Sequence, residues 1–141
     1  MLTDELKDRI RDTYTALMDS KQLTPRWGQR QMIAEIANTL GRIPGPGEGP
    51  AKEPAVCVIE AGTGTGKTIA YAVTAIPMAQ ALGKRLVVAT ATIALQEQFI
   101  YKDLPDIQHH SGLDFTYALA KGRRRYICLS KLDRLLAEGQ G

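Results

Sequence analysis

One stretch of the chain has residue types and spacing suited to binding a nucleoside triphosphate. Residues 55–60 form a short apolar run, and residues 61–68 follow with the sequence Ala-Gly-Thr-Gly-Thr-Gly-Lys-Thr. Glycines without a Cβ let backbone N–H groups approach phosphate oxygens closely. Lys67 supplies a positive charge for the β- and γ-phosphates, and the Thr68 hydroxyl can bind Mg²⁺. We therefore predict a phosphate loop followed by a helix whose positive dipole end faces the same anion.

Eight consecutive residues are assigned to this candidate site: Ala61, Gly62, Thr63, Gly64, Thr65, Gly66, Lys67 and Thr68. The usual pattern begins with glycine, and alanine holds that position here. Lys67 and Thr68 are the candidate catalytic residues. The alternative is a Gly/Thr turn that binds nothing, but an apolar run before the motif and a helical pattern after it favour the phosphate loop.

Composition and charge exclude several classes of protein. The 141 residues suffice for about one domain, and 44% apolar with 23% charged residues is ordinary for a soluble globular protein. The longest uncharged stretch, residues 68–83, is too short to span a bilayer, and the N-terminus shows no signal-peptide pattern. Two distant cysteines do not form a disulfide framework. We expect a cytoplasmic chain with no membrane partner.

The order of elements predicts an α/β fold in which the loop follows the first of several parallel strands. Predicted strands cover residues 55–60, 86–90 and 115–119. Predicted helices comprise an amphipathic one that carries Leu2, Leu6, Ile10, Tyr14 and Leu17, with Thr3 available as N-cap, and those over residues 29–40, 68–82, 93–101 and 129–136. The third of these is expected to be kinked at Pro77 and to stop at Gly83. Residues 41–54 and 103–114 are expected to form loops.

Two segments flanking the phosphate loop narrow the possible functions. Upstream lie Arg26 and Gln29, and a glutamine amide offers a donor and an acceptor that match one edge of adenine. Downstream, residues 86–98 run from a predicted strand into a threonine- and glutamine-containing helix. Hydroxyls and amides in that position can bond nucleic-acid phosphates without reading the base sequence.

Together these segments resemble the first RecA-like domain of a superfamily 2 helicase, and most closely the DinG family, relatives of the XPD iron–sulfur helicases. Arg26 and Gln29 are similar to that family's Q motif, and residues 61–68 are similar to its motif I, where an initial alanine is normal. Residues 90–98 resemble motif Ia. Residues 121–128 resemble the Gly-Arg-x-Arg-Tyr-x-Cys segment that carries the first cluster-ligating cysteine, Cys128.

The resemblance implies a RecA-like parallel sheet with flanking helices. Residues 1–24 would be an N-terminal helix and linker, residues 25–120 the first part of the ATP-binding domain, and residues 121–141 the start of an iron–sulfur insertion. It implies ATP, Mg²⁺ and, in the parent protein, a 4Fe–4S cluster, with 5′ to 3′ translocation on single-stranded DNA and unwinding of duplex DNA. The expected nucleic-acid contacts are Thr90, Thr92, Gln98, Lys121 and Arg123.

Several parts that the family needs for activity are not found in the sequence. We find no Asp-Glu-x-His motif, no second RecA-like domain with its arginine finger, and no three further cysteines for a cluster. We therefore expect an N-terminal fragment of a longer protein. The alternative function is a truncated module that binds ATP and single strands without turnover. A small-molecule kinase is disfavoured because no arginine-rich lid is evident.

Other residues have a structural interpretation beside a functional one. Cys57, in a predicted strand, is expected to be a buried core thiol, and the pair His109–His110 to be solvated rather than metal-bound. The basic run at residues 121–125 is either a solvated surface or a phosphate contact. Trp27 and Tyr126 could stack on bases, and Trp27 could equally pack near the adenine or in the core. Tyr14 is expected in the core.

Overall fold

The structure, a computed structural model, describes residues 2–139 and is built from helices. The elements in chain order are α1 (Asp4–Ser20), α2 (Trp27–Leu40), α3 (Lys67–Leu82), α4 (Ile93–Gln98), a π-helical turn (Phe99–Asp103), α5 (Leu104–Ser111), a 3₁₀ turn (Arg123–Arg125) and α6 (Leu129–Glu138). Among these residues, no helix combines the length and the apolar character that crossing a bilayer requires.

The predicted α/β fold with a RecA-like parallel sheet is wrong for this structure. Within residues 2–139, the three predicted strand segments, 55–60, 86–90 and 115–119, form no β-ladder. Several of their apolar side chains are accordingly open to solvent, with Val58 91% exposed, whereas Val88 and Phe115 are half-buried against the core. A β-branched sequence favours a pleated, half-buried surface, but that preference is realised only when neighbouring strands and covering helices are present. Here the helices pack without those neighbours.

Helix α3 is the central element of the core. Nearly all of its residues from Ala70 to Met78 are buried, and α1, α2 and α5 pack around it. One apolar cluster joins α1, α3 and the segment 99–113 through Leu17, Val73 and Ile107. A second cluster joins α1 and α2 to Met78. Burying apolar surface on all sides of α3 fixes the helix that begins at the phosphate loop.

The helices around α3 agree largely with the periodicity of the sequence. Helix α1 begins at the predicted cap, where the Thr3 hydroxyl accepts a hydrogen bond from the Leu6 N–H at 3.1 Å. Tyr14 lies in the core, as predicted. Helix α3 continues through Pro77 and ends at Gly83, whose φ of +62° is the left-handed conformation that stops a helix.

Helix α5 contradicts the prediction of a loop over residues 103–114. Pro105 lies in the first turn, where a missing backbone N–H costs nothing. Leu104 and Ile107 are buried beneath α1, and Lys21, the C-cap residue of α1, forms an ion pair with Asp106 at 2.8 Å. This helix depends on tertiary packing of a few apolar residues, so the polar local sequence gave little indication of it.

Candidate nucleotide-binding site

The predicted phosphate loop, residues 61–66, is a tight turn that leads directly into α3. Gly64 and Gly66 have φ values of +80° and +82°, in the left-handed region that favours glycine. Both the backbone N–H and the hydroxyl of Thr65 donate to the Gly62 carbonyl, at 3.3 and 2.6 Å. Gly66 is the N-cap of α3, so the unpaired N–H groups of the first helical turn begin immediately after the loop. This arrangement suits an anion.

The Lys67 side chain joins the two ends of the loop. Its ammonium donates to the Ala61 carbonyl at 2.6 Å, and the side chain is solvent-exposed. An ammonium has three donors, so at least two remain for phosphate oxygens. The structure therefore places this charge at the mouth of the loop that residues 61–66 form.

Thr68 lies one residue inside α3 and is half-buried. Burial raises the pKa of Tyr71 above its ordinary value, and the neighbouring Thr68 side chain partly opposes that rise. Thr68 also lines a cavity of about 60 Å³ together with Asp103 and Asp106. Burial raises the pKa of Asp103, whereas the hydrogen bond from Lys21 lowers that of Asp106.

The residues around Thr68 fit a magnesium ion that arrives with a nucleotide. Within residues 2–139, no group of three or more His, Cys, Asp or Glu side chains is arranged to hold a metal ion. Mg²⁺ is commonly bound by one or two protein oxygens together with substrate phosphates and water. The Thr68 hydroxyl can provide one such oxygen, with the phosphates providing others.

The start of α2 contacts the phosphate loop at three points. The Arg26 guanidinium donates to the Gly64 carbonyl, and the Gln29 amide nitrogen donates to the Gly66 carbonyl at 3.4 Å. Gly28 lies so close that a Cβ built there would stand 3.2 Å from the Thr65 methyl group. The structure thus brings Arg26 and Gln29 to the loop, as their assignment to one nucleotide site requires, through contacts with the loop backbone.

Gln29 is held from its other side by Tyr14, a residue that the sequence indicated only as part of the core. The Tyr14 hydroxyl donates to Gln29 Oε1 at 2.7 Å, and Gln29 is only 4% exposed. A buried tyrosine needs a partner for its hydroxyl, and that rule is the signal by which this contact could have been sought. The partner itself lies 15 residues away along the chain and could not be read from local sequence.

The residues predicted to contact nucleic acid lie on two segments that the structure brings together. The Thr92 hydroxyl caps α4 by accepting from the Leu95 N–H at 3.2 Å, and Gln98 is exposed at the end of that helix. The Thr90 hydroxyl donates to the Thr92 carbonyl at 3.4 Å.

The basic run packs against α4 through Gln96, which the sequence analysis did not single out. Arg125 donates to Gln96 Oε1 at 2.6 Å, and the amide nitrogen of Gln96 donates to the Ala120 carbonyl at 3.4 Å. Lys121 donates its backbone N–H to the Tyr126 hydroxyl at 2.9 Å. Arg123 is exposed on the same turn. The basic turn and α4 are therefore joined through Gln96, and the Thr92 hydroxyl lies at the N-terminus of that helix.

The two cysteines do not form a cluster site. Cys57 and Cys128 are both free and exposed, so the expectation of a buried Cys57 is wrong because its segment has no paired strands to cover it. A 4Fe–4S cluster takes four thiolates. The residues present in this chain do not fit such a group by themselves.

Trp27 and His110 also differ in part from expectation. Trp27 is 76% exposed, so packing in the core is excluded for it. His109 is exposed as expected, but His110 is half-buried and its Nδ1 lies 2.6 Å from the Ser20 hydroxyl. This contact arises because the segment that was expected to be a loop forms helix α5, which packs against α1.

Comparison with known proteins identifies relatives that share one name, although no protein-family model matches the chain. The chain is 42% identical over 138 residues to the ATP-dependent DNA helicase DinG of Photobacterium profundum, covering 97% of the chain and 19% of that protein. Proteins of the same name from Salmonella typhimurium and Escherichia coli are 41% and 40% identical over 135 residues, covering 95% of the chain and 18% of each protein. The chain thus spans less than a fifth of the length of these curated relatives. Over at least 95% of its own length, it is homologous to part of the proteins named ATP-dependent DNA helicase DinG, which confirms the resemblance seen in its motifs.

Proposed function

We propose that this chain is the ATP-binding part of an ATP-dependent DNA helicase that moves 5′ to 3′ along a single strand and unwinds duplex DNA. The observation that carries the proposal is the phosphate loop, with left-handed Gly64 and Gly66 and the Lys67 ammonium at its mouth. Its occurrence in a chain homologous to proteins with that name links the loop to ATP.

In this proposal the loop and the start of α3 bind the triphosphate. Backbone N–H groups and the helix dipole face the phosphates, and Lys67 transfers a hydrogen bond from the Ala61 carbonyl to a γ-phosphate oxygen. Thr68 provides a hydroxyl to the accompanying Mg²⁺, which neutralises phosphate charge when bound. Arg26 and Gln29 select adenine. The Gln29 amide has two donors and two acceptor sites, so its contacts with Tyr14 and Gly66 leave one donor and one acceptor site for the base.

A single strand of DNA is proposed to pass over α4 and the adjoining basic turn. The side chains assigned to its phosphates are Thr90, Thr92, Gln98, Lys121 and Arg123. The Gln96–Arg125 hydrogen bond supports the proposal because it joins the two segments into one surface. Contacts of this kind hold the backbone without reading base sequence.

The remaining assignments concern the longer protein. We propose that Cys128 is one ligand of a 4Fe–4S cluster there, with the other thiolates supplied by parts of that protein outside this chain, and that the protein acts in the cytoplasm. The division into residues 1–24, 25–120 and 121–141 is retained as part of this proposal, with the middle part holding the nucleotide.

A chimeric enzyme tests the proposal directly. The matching region of the Photobacterium profundum relative, 42% identical, is replaced by this chain, and duplex unwinding is measured with ATP. The chimera should unwind DNA, Lys67→Ala should abolish unwinding, and Lys84→Ala, the same charge change beyond the far end of α3, should not. A folded chimera that binds DNA but shows no ATP-dependent unwinding would contradict the proposal.

The second candidate is a module that binds ATP and single strands without turnover. Its support is that the sequence contains no acidic Asp-Glu-x-His motif to help hold Mg²⁺. Assays of the 141-residue chain alone test whether it is an independently active enzyme. Both the module and the helicase part should bind Mg-ATP without DNA-stimulated hydrolysis. The chimera then distinguishes those two.

A further inference from the structure

Tyr14 occupies a position where α1, the start of α2 and the phosphate loop meet. The residue lies on the buried face of α1, 6% exposed, with its ring in the apolar cluster that surrounds α3. Packing explains the ring but not the hydroxyl, because a phenylalanine would fill the same space. The hydroxyl therefore needs a separate explanation.

The Tyr14 hydroxyl forms hydrogen bonds in both directions. It donates to Gln29 Oε1 at 2.7 Å and accepts from the backbone N–H of Arg26 at 3.4 Å. Arg26 is the N-cap residue of α2, and its side chain provides no capping hydrogen bond. One hydroxyl thus orients both ends of the segment 26–29, which carries the two side chains that reach the phosphate loop.

Gln29 passes this constraint to the loop. With Oε1 fixed by Tyr14, the amide nitrogen points to the Gly66 carbonyl, which lies 3.4 Å away. The same carbonyl accepts the first backbone hydrogen bond of α3, from the Ala70 N–H at 3.1 Å. These contacts also determine that the nitrogen of the Gln29 amide faces the loop. A flipped amide would place Gln29 Oε1 against the Gly66 carbonyl oxygen, and both atoms are acceptors.

We infer that Tyr14 is a positioning residue for the phosphate loop, acting through Gln29 on Gly66 so that the loop is held ready for a triphosphate before one binds. This inference rests on the proposed function for its nucleotide readout. It goes beyond that function by assigning a role in nucleotide binding to α1, a helix outside the motifs of the resemblance.

Replacing one atom tests the inference. Tyr14→Phe removes the hydroxyl and keeps the ring, while Thr13→Val removes a neighbouring buried hydroxyl of α1 that donates only to the Arg9 carbonyl. Affinities for Mg-ATP and Mg-GTP are measured by calorimetry on the 141-residue chain. Tyr14→Phe should weaken both by about 3- to 10-fold, because the loop contacts the phosphates that both share. The loss for Mg-ATP should be at least as large as that for Mg-GTP, because Gln29, which is proposed to select adenine, also loses its fixed partner.

Hydrogen exchange without nucleotide provides a second readout that does not depend on binding. Amides of residues 62–70 should exchange about 3- to 10-fold faster in Tyr14→Phe than in Thr13→Val, since the loop loses a fixed partner. Equal exchange in the two variants would overturn the inference whatever the affinities. Faster exchange in Tyr14→Phe than in Thr13→Val, together with no binding of nucleotide by the wild-type chain, would support the positioning role and contradict the nucleotide function instead.

Discussion

Gly66 shows most clearly how a single residue type is fixed at this site. Its φ of +82° disfavours any side chain, and a Cβ built there would collide with the amide group of Gln29. Gly64 and Gly47 have nearly the same φ, but a Cβ at either would meet no atom within 4 Å. Comparing the three positions therefore distinguishes the cost of backbone strain, which all three share, from that of a steric clash, which only Gly66 adds.

Substituting these glycines by alanine should rank them by those two costs. Gly47→Ala and Gly64→Ala should each destabilise the chain by roughly 1–2 kcal/mol, the cost of a left-handed alanine. Gly66→Ala should destabilise it further, because Gln29 must also move. Urea unfolding measures the three values. Equal losses at all three positions, or no partial recovery in Gly66→Ala combined with Gln29→Ala, would contradict the contact described here.

At the scale of elements, α1 and α5 are joined by a pair of charges whose effect depends on pH. The Lys21 ammonium holds the pKa of Asp106 below its ordinary value through a hydrogen bond at 2.8 Å. A carboxyl with a lowered folded pKa stabilises the fold above its unfolded pKa, near 3.9, and that stability is lost as pH falls through the folded value. Both side chains are about a third exposed, so the effect is limited by solvent screening.

Asp106→Asn should therefore lower the melting temperature at pH 7, by an amount corresponding to at most about 1 kcal/mol. The difference from wild type should shrink below pH 4 and disappear once the native carboxyl is protonated. Asp114→Asn, an exposed carboxyl outside this ion pair, serves as the control. Melting curves from pH 2 to pH 7 measure this, and a difference that stays constant over the whole range would be inconsistent with the ion pair.

The unpaired state of residues 55–60 can be tested through Cys57. Both cysteines are exposed, so both should react with a thiol reagent in the folded chain. Their reaction rates should be similar to those in a denatured sample. Cys57→Ser and Cys128→Ser isolate each thiol. Protection of Cys57 until the chain unfolds would show instead that this segment is covered, as a strand in a sheet would be.

The same elements show how far the sequence predicts the fold. Helices α1 and α3 follow from apolar spacing and from Thr3 and Gly83 at their ends, which are local signals. The presence or absence of a sheet could not be predicted from local sequence, because a strand forms only with a partner strand. Helix α5 depends on burial against α1 rather than on its own apolar pattern. Within the site, the loop was predictable from residues 61–68, whereas the Tyr14 hydroxyl gains its role only through a contact made by folding.

Over the whole molecule, helices α1, α2, α3 and α5 form one packed unit that carries the candidate nucleotide site, and apolar surface outside this unit is open to solvent. Helix α3 runs from the phosphate loop through the core, so packing along the helix fixes the position of the loop. In contrast, the four leucines of α6 and both valines of residues 55–60 are exposed. Contiguous exposed apolar surface commonly marks places where other protein covers a domain, and the relatives that match this chain are more than five times its length.

The central claim is that residues 61–68 bind a triphosphate, and calorimetric titration of the 141-residue chain with Mg-ATP tests it most directly. Wild type should bind, and Lys67→Ala should bind roughly 10- to 150-fold more weakly, as expected for loss of hydrogen bonds from a charged group. Lys84→Ala, with the same change of charge beyond the far end of α3, should bind like wild type. Equal affinity of wild type and Lys67→Ala for Mg-ATP would contradict the account.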